Sequence, residues 1–310
     1  MPDQKGRIAI LDLGTNTFNL VIAEKGKQGE PVFIYKKELP VELGKGGIHK
    51  SHITAEAAER AVKALHAHRK SIGEFGVDSD YAFATSAVRD AANGREFAER
   101  IRIETGIEIK IITGDEEAQW IYEGVKHASV LSEKTSVIMD IGGGSTEFII
   151  ADRSNISWKR SYPLGVSRLF EMFRPENPIS AASQSEIFKH CELVLEDFFA
   201  AAAGLQPIEL IGSSGSFESF AQMILCRKNI SEMPENGFDI DLEEFEKLHS
   251  DILASTLEQR LKMRGLLEMR ANAFGFSVML TGLVLKRLAL RKMTLSLYSL
   301  KEGIAGHYLQ

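Results

Sequence analysis

Two stretches of the sequence place the same chemically useful residue types at the same spacing. Residues 8–24 read IAILDLGTNTFNLVIAE and residues 136–152 read SVIMDIGGGSTEFIIAD, offset by 128 positions without a gap. Ile10/Ile138, Asp12/Asp140, Gly14/Gly142, Ile22/Ile150 and Ala23/Ala151 are identical, and Thr17/Ser145 keeps a hydroxyl. Glycines and small hydroxyls let backbone N–H groups converge on an anion, and a carboxylate at a strand end can hold a divalent cation or its waters. Gly-rich turns between strands are common for conformational reasons alone. Folding does not, however, require two turns to keep Asp-x-Gly and a hydroxyl at matching places, so the pair points to phosphate chemistry. A third stretch, IELIGSSGSFESFA at 208–221, runs from an apolar strand through Gly212, Ser213, Ser214 and Gly215 into a helical pattern. A helix start after a glycine loop favours anions, although a β-to-α connection can use glycine and an N-capping serine for purely local reasons. No G-x-x-x-x-G-K-[ST] occurs, the LGKGG stretch at 43–47 does not fit that pattern, and no G-x-G-x-x-G opens a helix in a dinucleotide-binding context.

These loops need elements to hold them. Each copy of the repeat reads as two apolar, β-branched strands joined by a tight turn, and one copy in each half suggests a duplication. Pro31–Leu43 reads as further strand. A helix begins at Ser51 or Thr54 and runs to about Phe75, with Ala57, Ala61, Leu65 and Ile72 on one face; Thr54 followed by Ala57 lacks the full capping box. Tyr81–Thr85 and Ile107–Ile112 are strand candidates, Arg95–Thr105 and Asp115–Ala128 helices. A second α/β unit begins at Thr135, and 180–204, 241–260, 265–290 and 299–309 read as mostly helical. The expected assembly is two α/β domains with a hairpin from each facing a cleft, because ligands gather at domain interfaces.

Composition sets the outer bounds. At 310 residues, two domains are expected, and 44% hydrophobic with 26% charged residues excludes disorder, collagen and small disulfide scaffolds. A net charge of −6 argues against a dedicated nucleic-acid surface, so an anionic ligand must be held locally. Cys191 and Cys226 have no C-x-x-C spacing, which suggests neither a zinc site nor a disulfide framework and fits a reducing compartment. Residues 1–11 lack an apolar leader, and the longest mostly apolar run, Ala273–Leu285, is short of the ~18–20 residues that span a bilayer. A cytoplasmic protein without a membrane partner is expected. His66 and His68 diverge on their helix and no H-E-x-x-H occurs, so the histidines read as surface residues. Trp120 and Tyr122 read as packing anchors.

DLGTNTFNLVIA, ATSAVRD, ITGDEEAQWIYEGV, MDIGGGSTEFII and the late LYSLKEGI, in that order, resemble the exopolyphosphatase/guanosine pentaphosphate phosphohydrolase (Ppx/GppA) family, with coverage from about residue 8 to residue 305. The resemblance implies the sugar kinase/Hsp70/actin-like fold: two ribonuclease H-like α/β domains around an interdomain cleft. The domains are expected at 1–118 and 119–296, with a C-terminal helix of about 297–310 packing back on the first. It implies hydrolysis of a terminal phosphate with Mg2+ or another divalent cation, with inorganic polyphosphate as substrate and guanosine pentaphosphate as the alternative. It also makes a homodimer plausible and implies no nucleic-acid partner.

Residue by residue, the resemblance makes Glu117 the general base or water-positioning group, although Asp115, Glu116 and Glu117 all fall in a first helical turn, where carboxylates also complement the helix dipole. Arg89 would meet the phosphate being transferred, where a guanidinium offers forked donors; its local alternative is a surface arginine capping a strand-to-helix loop. Asp140 and Glu147 would bind the metal, with Asp12 as the first-copy equivalent of Asp140. Backbone amides around Gly14, Thr15, Asn16 and Thr17, and around Gly142, Gly143, Gly144 and Ser145, would hold successive phosphates, with Gly212, Ser213, Ser214 and Gly215 as a third phosphate-contacting loop. Two positions depart from the family pattern: Asn272 stands where an acid is common, and Lys301 replaces an arginine. Long family members carry further C-terminal helical domains that help to form a polymer channel, whereas this sequence ends at Gln310, so short chains or a nucleotide are the expected preference. A phosphotransferase of the same fold would need an acceptor and a nucleotide pocket; a non-catalytic sensor is opposed by the presence of Glu117, Asp140, Glu147 and Arg89.

Overall fold

The structure, a computed structural model, describes residues 6–27, 29–230, 233 and 237–309. Residues 1–5, part of the stretch searched for a leader, lie outside them. The chain divides into two compact units, Met1–His127 with Leu300–Gln310, and Ala128–Ser299.

The first unit runs β1 (Arg7–Leu13), β2 (Thr17–Lys25), β3 (Pro31–Pro40), a 3-10 turn at Ile48–Lys50, α1 (Ala55–Glu74), β4 (Ser79–Ala84), α2 (Ser86–Arg89), α3 (Gly94–Thr105), β5 (Ile109–Ile111) and α4 (Gly114–His127), closed by a C-terminal helix, Leu300–Tyr308. Its sheet has the order β3-β2-β1-β4-β5, antiparallel through β1–β3 and parallel through β1, β4 and β5. The central β1 is an almost continuous apolar run, as a strand covered on both faces requires. Helix α1 packs through small residues, Ala57, Ala58, Ala61 and Ala64, and its N-cap Thr54 accepts a bond from Ala57 N, so the start is at Thr54 even without the full box. His68 lies on this same face and is fully buried rather than at the surface. Its Nε2 meets the carbonyl of Phe18 at 3.1 Å, a site that a count of histidine spacings does not reveal.

The second unit runs β6 (Ser136–Ile141), β7 (Thr146–Ala151), β8 (Ile156–Tyr162), α5 (Val166–Phe173), α6 (Ala181–Val194), α7 (Glu196–Leu205), β9 (Glu209–Ser213), α8 (Ser214–Arg227), β10 (Phe238–Ile240), α9 (Leu242–Ala254), α10 (Leu257–Leu261), α11 (Glu268–Ala271), α12 (Phe274–Arg287) and β11 (Met293–Leu295), which makes the C-terminal helix α13. Its sheet order is β10-β11-β9-β6-β7-β8. Without the edge strand β10, this is the first sheet again, with β8-β7-β6-β9-β11 in the places of β3-β2-β1-β4-β5. The correspondence extends to defects: the register breaks between Ile22 and Ala23 in one sheet and between Ile150 and Ala151 in the other, positions that match in the repeat.

The strand expected over Pro31–Leu43 stops at Pro40, because Val41 N and Glu42 N turn to donate to Asn16 O at 2.9 and 2.8 Å. Strands β8, β10 and β11 and helix α5 have no counterpart in the sequence reading; β10 and β11 are three residues each, too short to show a period. The boundary between units falls after α4 rather than within it at 118/119. Ala118, Ile121, Tyr122 and Val125 continue one buried face along that helix, and α13 lies against it, with Trp120 facing the His307 ring at 4.8 Å. An added Cβ at Gly303 would stand 2.0 Å from Trp120 O. Cys191 is buried and desolvation pushes its thiol up to about 12, which makes it a packing residue. Among the described residues no helix is long and apolar enough to cross a membrane.

Candidate active site

In the first unit the chain carries Arg89 on the short helix after β4 and Glu117 at the start of α4, following β5. The parallel pairing of β4 with β5 sets these two strand ends side by side, and Arg89 Nη1 donates to Glu117 Oε2 at 2.6 Å. Glu117 is only 7% exposed. The cap of α4 uses the neighbouring glutamate: Thr113 Oγ1 accepts from Glu116 N at 3.1 Å, and Glu116 Oε2 accepts from Thr113 N at 2.8 Å, a reciprocal capping box. Of the three acids in that turn, Asp115 is exposed, Glu116 closes the helix end and Glu117 turns inward. Arg89 is not a surface cap; its guanidinium also lies 3.4 Å from Asp90.

Both repeat turns close in the same way. Gly14 N donates to Thr17 O at 3.1 Å and Gly142 N to Ser145 O at 3.0 Å, and an added Cβ would sit 3.0 and 3.1 Å from the same acceptors. In the first turn Thr15 is buried, its Oγ1 3.3 Å from Ser86 Oγ, and its carbonyl accepts from Gly44 N at 3.1 Å. The LGKGG stretch is therefore the backing of this loop. In the second turn the carbonyls face α5: Gly142 O accepts from Val166 N, Gly143 O from Ser167 N and Arg168 N, and Gly144 O from the buried Arg168 Nε at 2.8 Å. Gly165 allows this approach, since a Cβ there would lie 2.3 Å from the Gly144 backbone. With the carbonyls engaged behind, the N–H groups of Gly143, Gly144 and Ser145 donate to nothing among the described residues, an arrangement suited to an anion.

The strand-end carboxylates differ between the copies. Asp12 stands opposite Asn19 in the β1/β2 register, and Asn19 Nδ2 donates to Asp12 Oδ2 at 3.2 Å. Asp140 stands opposite Glu147 in β6/β7, so two carboxylates share one face of the sheet, 6% and 1% exposed. Directly opposed like charges are unfavourable without a compensating charge. Asp140 Oδ2 accepts the hydroxyls of Ser213 (2.6 Å), Ser214 (2.6 Å) and Ser299 (2.5 Å), and Glu147 Oε1 accepts Ser161 Oγ at 2.6 Å. No group of three or more His, Cys, Asp or Glu residues suited to a metal occurs among the described residues. Two carboxylates fit magnesium, which keeps several waters and is bound by one or two carboxylates together with substrate phosphates.

The third loop differs from a simple capped helix. Ser213 occupies the N-cap position of α8, yet its side chain caps nothing and serves Asp140 instead. Gly215 O accepts from Arg270 Nη1, and a Cβ at Gly215 would strike that guanidinium. The structure thus joins Arg89 to Glu117 in one unit and Asp140 to Ser213 and Ser214 in the other, with Glu147 across the strands. No motif in the sequence marks Ser86, Ser161, Arg168, Arg270 or Ser299 as a site residue. Ser299 lies 159 positions from Asp140, and no local spacing announces such a partner.

Two congruent sheets of this strand order, each presenting a glycine turn after its first strand, are the duplicated two-domain architecture of the actin-like class. A model of the Ppx/GppA phosphatase family matches residues 21–309, and the chain belongs to that family of enzymes. A crystal structure of an exopolyphosphatase from Cytophaga hutchinsonii is 35% identical, covers 98% of this chain and 97% of its own, and superposes with a TM-score of 0.94. Exopolyphosphatase 1 of Mycobacterium bovis is 24% identical over 96% of this chain and 87% of its own length. A bifunctional 3-dehydroquinate synthase/phosphatase of Fusobacterium nucleatum is 35% identical over 61% of this chain, and the match spans 30% of that protein.

Proposed function

We propose that the chain is an exopolyphosphatase, hydrolysing the terminal phosphoanhydride of inorganic polyphosphate with release of orthophosphate. The observation that carries this reading is the Arg89–Glu117 pair: a buried carboxylate held 2.6 Å from a guanidinium at the places where the family resemblance puts the water-activating and phosphate-holding groups. Glu117 orients the attacking water and takes its proton, while the Arg89 guanidinium, a forked and permanently charged donor group, meets the terminal phosphoryl oxygens. The amides of Gly143, Gly144 and Ser145 take further phosphate oxygens. Asp140 and Glu147 would hold a divalent cation, which when bound supplies neutralisation of phosphate charge. Asp12, the first-repeat counterpart of Asp140, accepts from Asn19 at Oδ2 and is the further candidate carboxylate for the cation. The exopolyphosphatase relatives support polyphosphate over guanosine pentaphosphate as the substrate.

Phosphate release with magnesium from short polyphosphate, long polyphosphate and guanosine pentaphosphate, each measured beside Glu117→Gln, tests this. Polyphosphate turnover is expected to fall by about 10^2–10^4-fold in the variant with binding largely kept. Undiminished turnover in Glu117→Gln would remove the assigned base, and turnover of the nucleotide alone would transfer the assignment to a guanosine pentaphosphate phosphohydrolase.

A further inference from the structure

We infer that Ser213, Ser214 and Ser299 form a hydroxyl clamp that positions Asp140 for a divalent cation, by occupying one carboxylate oxygen and leaving the other to face the ion. The inference rests on the reading of Asp140 as a cation ligand. Three hydroxyls, from the end of β9, the start of α8 and the segment before α13, converge within 2.5 to 2.6 Å on Oδ2. Asp140 Oδ1 accepts no hydrogen bond among the described residues. A hydroxyl has one proton, so each serine that donates to Asp140 has none left to donate to a phosphate. The serines of the third loop therefore act on the carboxylate, and the loop meets phosphate through its backbone.

The backbone at Ser214 is a second, independent observation. Ser214 has φ +66, a left-handed conformation that is uncommon for a residue with a side chain and would suit glycine. Gly212 and Gly215 flank it closely, so the chain is rich in glycine here and yet keeps a serine at the strained position. Such strain persists where the surroundings over-determine it, commonly at functional sites; here the 2.6 Å bond to Asp140 is what the serine provides and a glycine would not. Asp12 Oδ2 is held by the amide of its cross-strand neighbour Asn19, where the second copy has Glu147. The duplicated hairpins have thus diverged: across the strands the first-strand carboxylate faces an amide in one unit and a second carboxylate in the other.

The test is Mn2+ binding to the full chain without substrate, followed by electron paramagnetic resonance of the free ion, with thermal unfolding measured in parallel. Residues that orient a metal ligand typically carry about 10–100-fold of metal affinity, so Ser299→Ala is expected to weaken Mn2+ binding by that factor and Ser299→Thr, which keeps the hydroxyl, to restore it. Ser214→Gly removes the hydroxyl but relaxes the backbone; it is expected to unfold at the same or a higher temperature while binding Mn2+ about 10-fold more weakly, a split that a merely structural serine would not produce. Asp140→Asn separates the two levels. If the wild type and Asp140→Asn bind Mn2+ equally, the assignment of Asp140 as cation ligand fails. If Asp140→Asn loses binding while Ser299→Ala and Ser214→Gly match the wild type, the clamp is overturned and the ligand assignment stands.

Discussion

Glu116 and Glu117 are neighbours in sequence and turn opposite ways: one closes a helix end with Thr113, the other enters the interior and pairs with Arg89. The helix period enforces this, since consecutive residues point about 100° apart around the axis. His68 is a second residue whose placement has a measurable consequence. Desolvation on the sheet-facing side of α1 lowers its pKa from 6.5 to about 4, against an opposing contribution from its bond to Phe18 O, and Lys37 adds to the lowering. Because the folded state disfavours the proton, the unfolded chain binds more protons between those values. Stability from the neutral ring is complete above about pH 6.5 and is lost as pH falls toward about 4. Thermal unfolding at about pH 7 and about pH 5 should show a drop that is smaller in His68→Leu; equal acid sensitivity in the variant would count against this account.

At the scale of elements, glycine sets how closely backbones approach. Gly165 lets the start of α5 press on the second glycine turn, and its replacement by alanine would drive a Cβ into the backbone of Gly143 and Gly144. Gly165→Ala is expected to cost about 1–3 kcal/mol of stability and, by displacing the amides of 143–145, to raise KM for polyphosphate; denaturant titration and steady-state kinetics check the two effects. Glu302 shows a different constraint. It is 1% exposed on α13 and paired with Lys36 at 3.3 Å and Lys301 at 3.6 Å. Only the carboxylate of these pairs is buried, so its loss leaves lysines that water still reaches. With Lys36 half-exposed, Glu302→Leu should cost about 1 kcal/mol, read from the shift in a urea midpoint. The lysine at 301 thus retains an ionic use even without an arginine's fork.

The whole molecule is two copies of one sheet joined so that the last helix returns to the first unit. That return buries the inner face of α4 and places Tyr308 against Tyr81, ring centroids 4.0 Å apart. Truncation after Ser299 is therefore expected to lower hydrogen-exchange protection in α4 and β4 while leaving β6, β7 and β9 protected; loss of protection spread evenly over both sheets would contradict the division. In the second unit, the buried Arg260 ties together residues far apart in sequence, donating to Ala271 O and Ser255 O at 2.7 Å and to Asn177 Oδ1. Nothing in its local sequence, THR-LEU-GLU-GLN-ARG in one-letter form TLEQR, distinguishes it from a surface arginine.

The linear sequence by itself determined the repeat, both hairpins and their turns, the third glycine loop, most helices and the family resemblance. These are properties of short windows: side-chain period, turn chemistry, and glycine where an amide must bend back on a carbonyl. The tertiary structure alone decided which neighbouring glutamate turned inward, that His68 is buried, that strands of three residues complete the second sheet, and that Ser299 reaches Asp140. Each of these depends on side chains brought together from distant parts of the chain by sheet pairing, and burial or partnership of that kind leaves no local pattern to read.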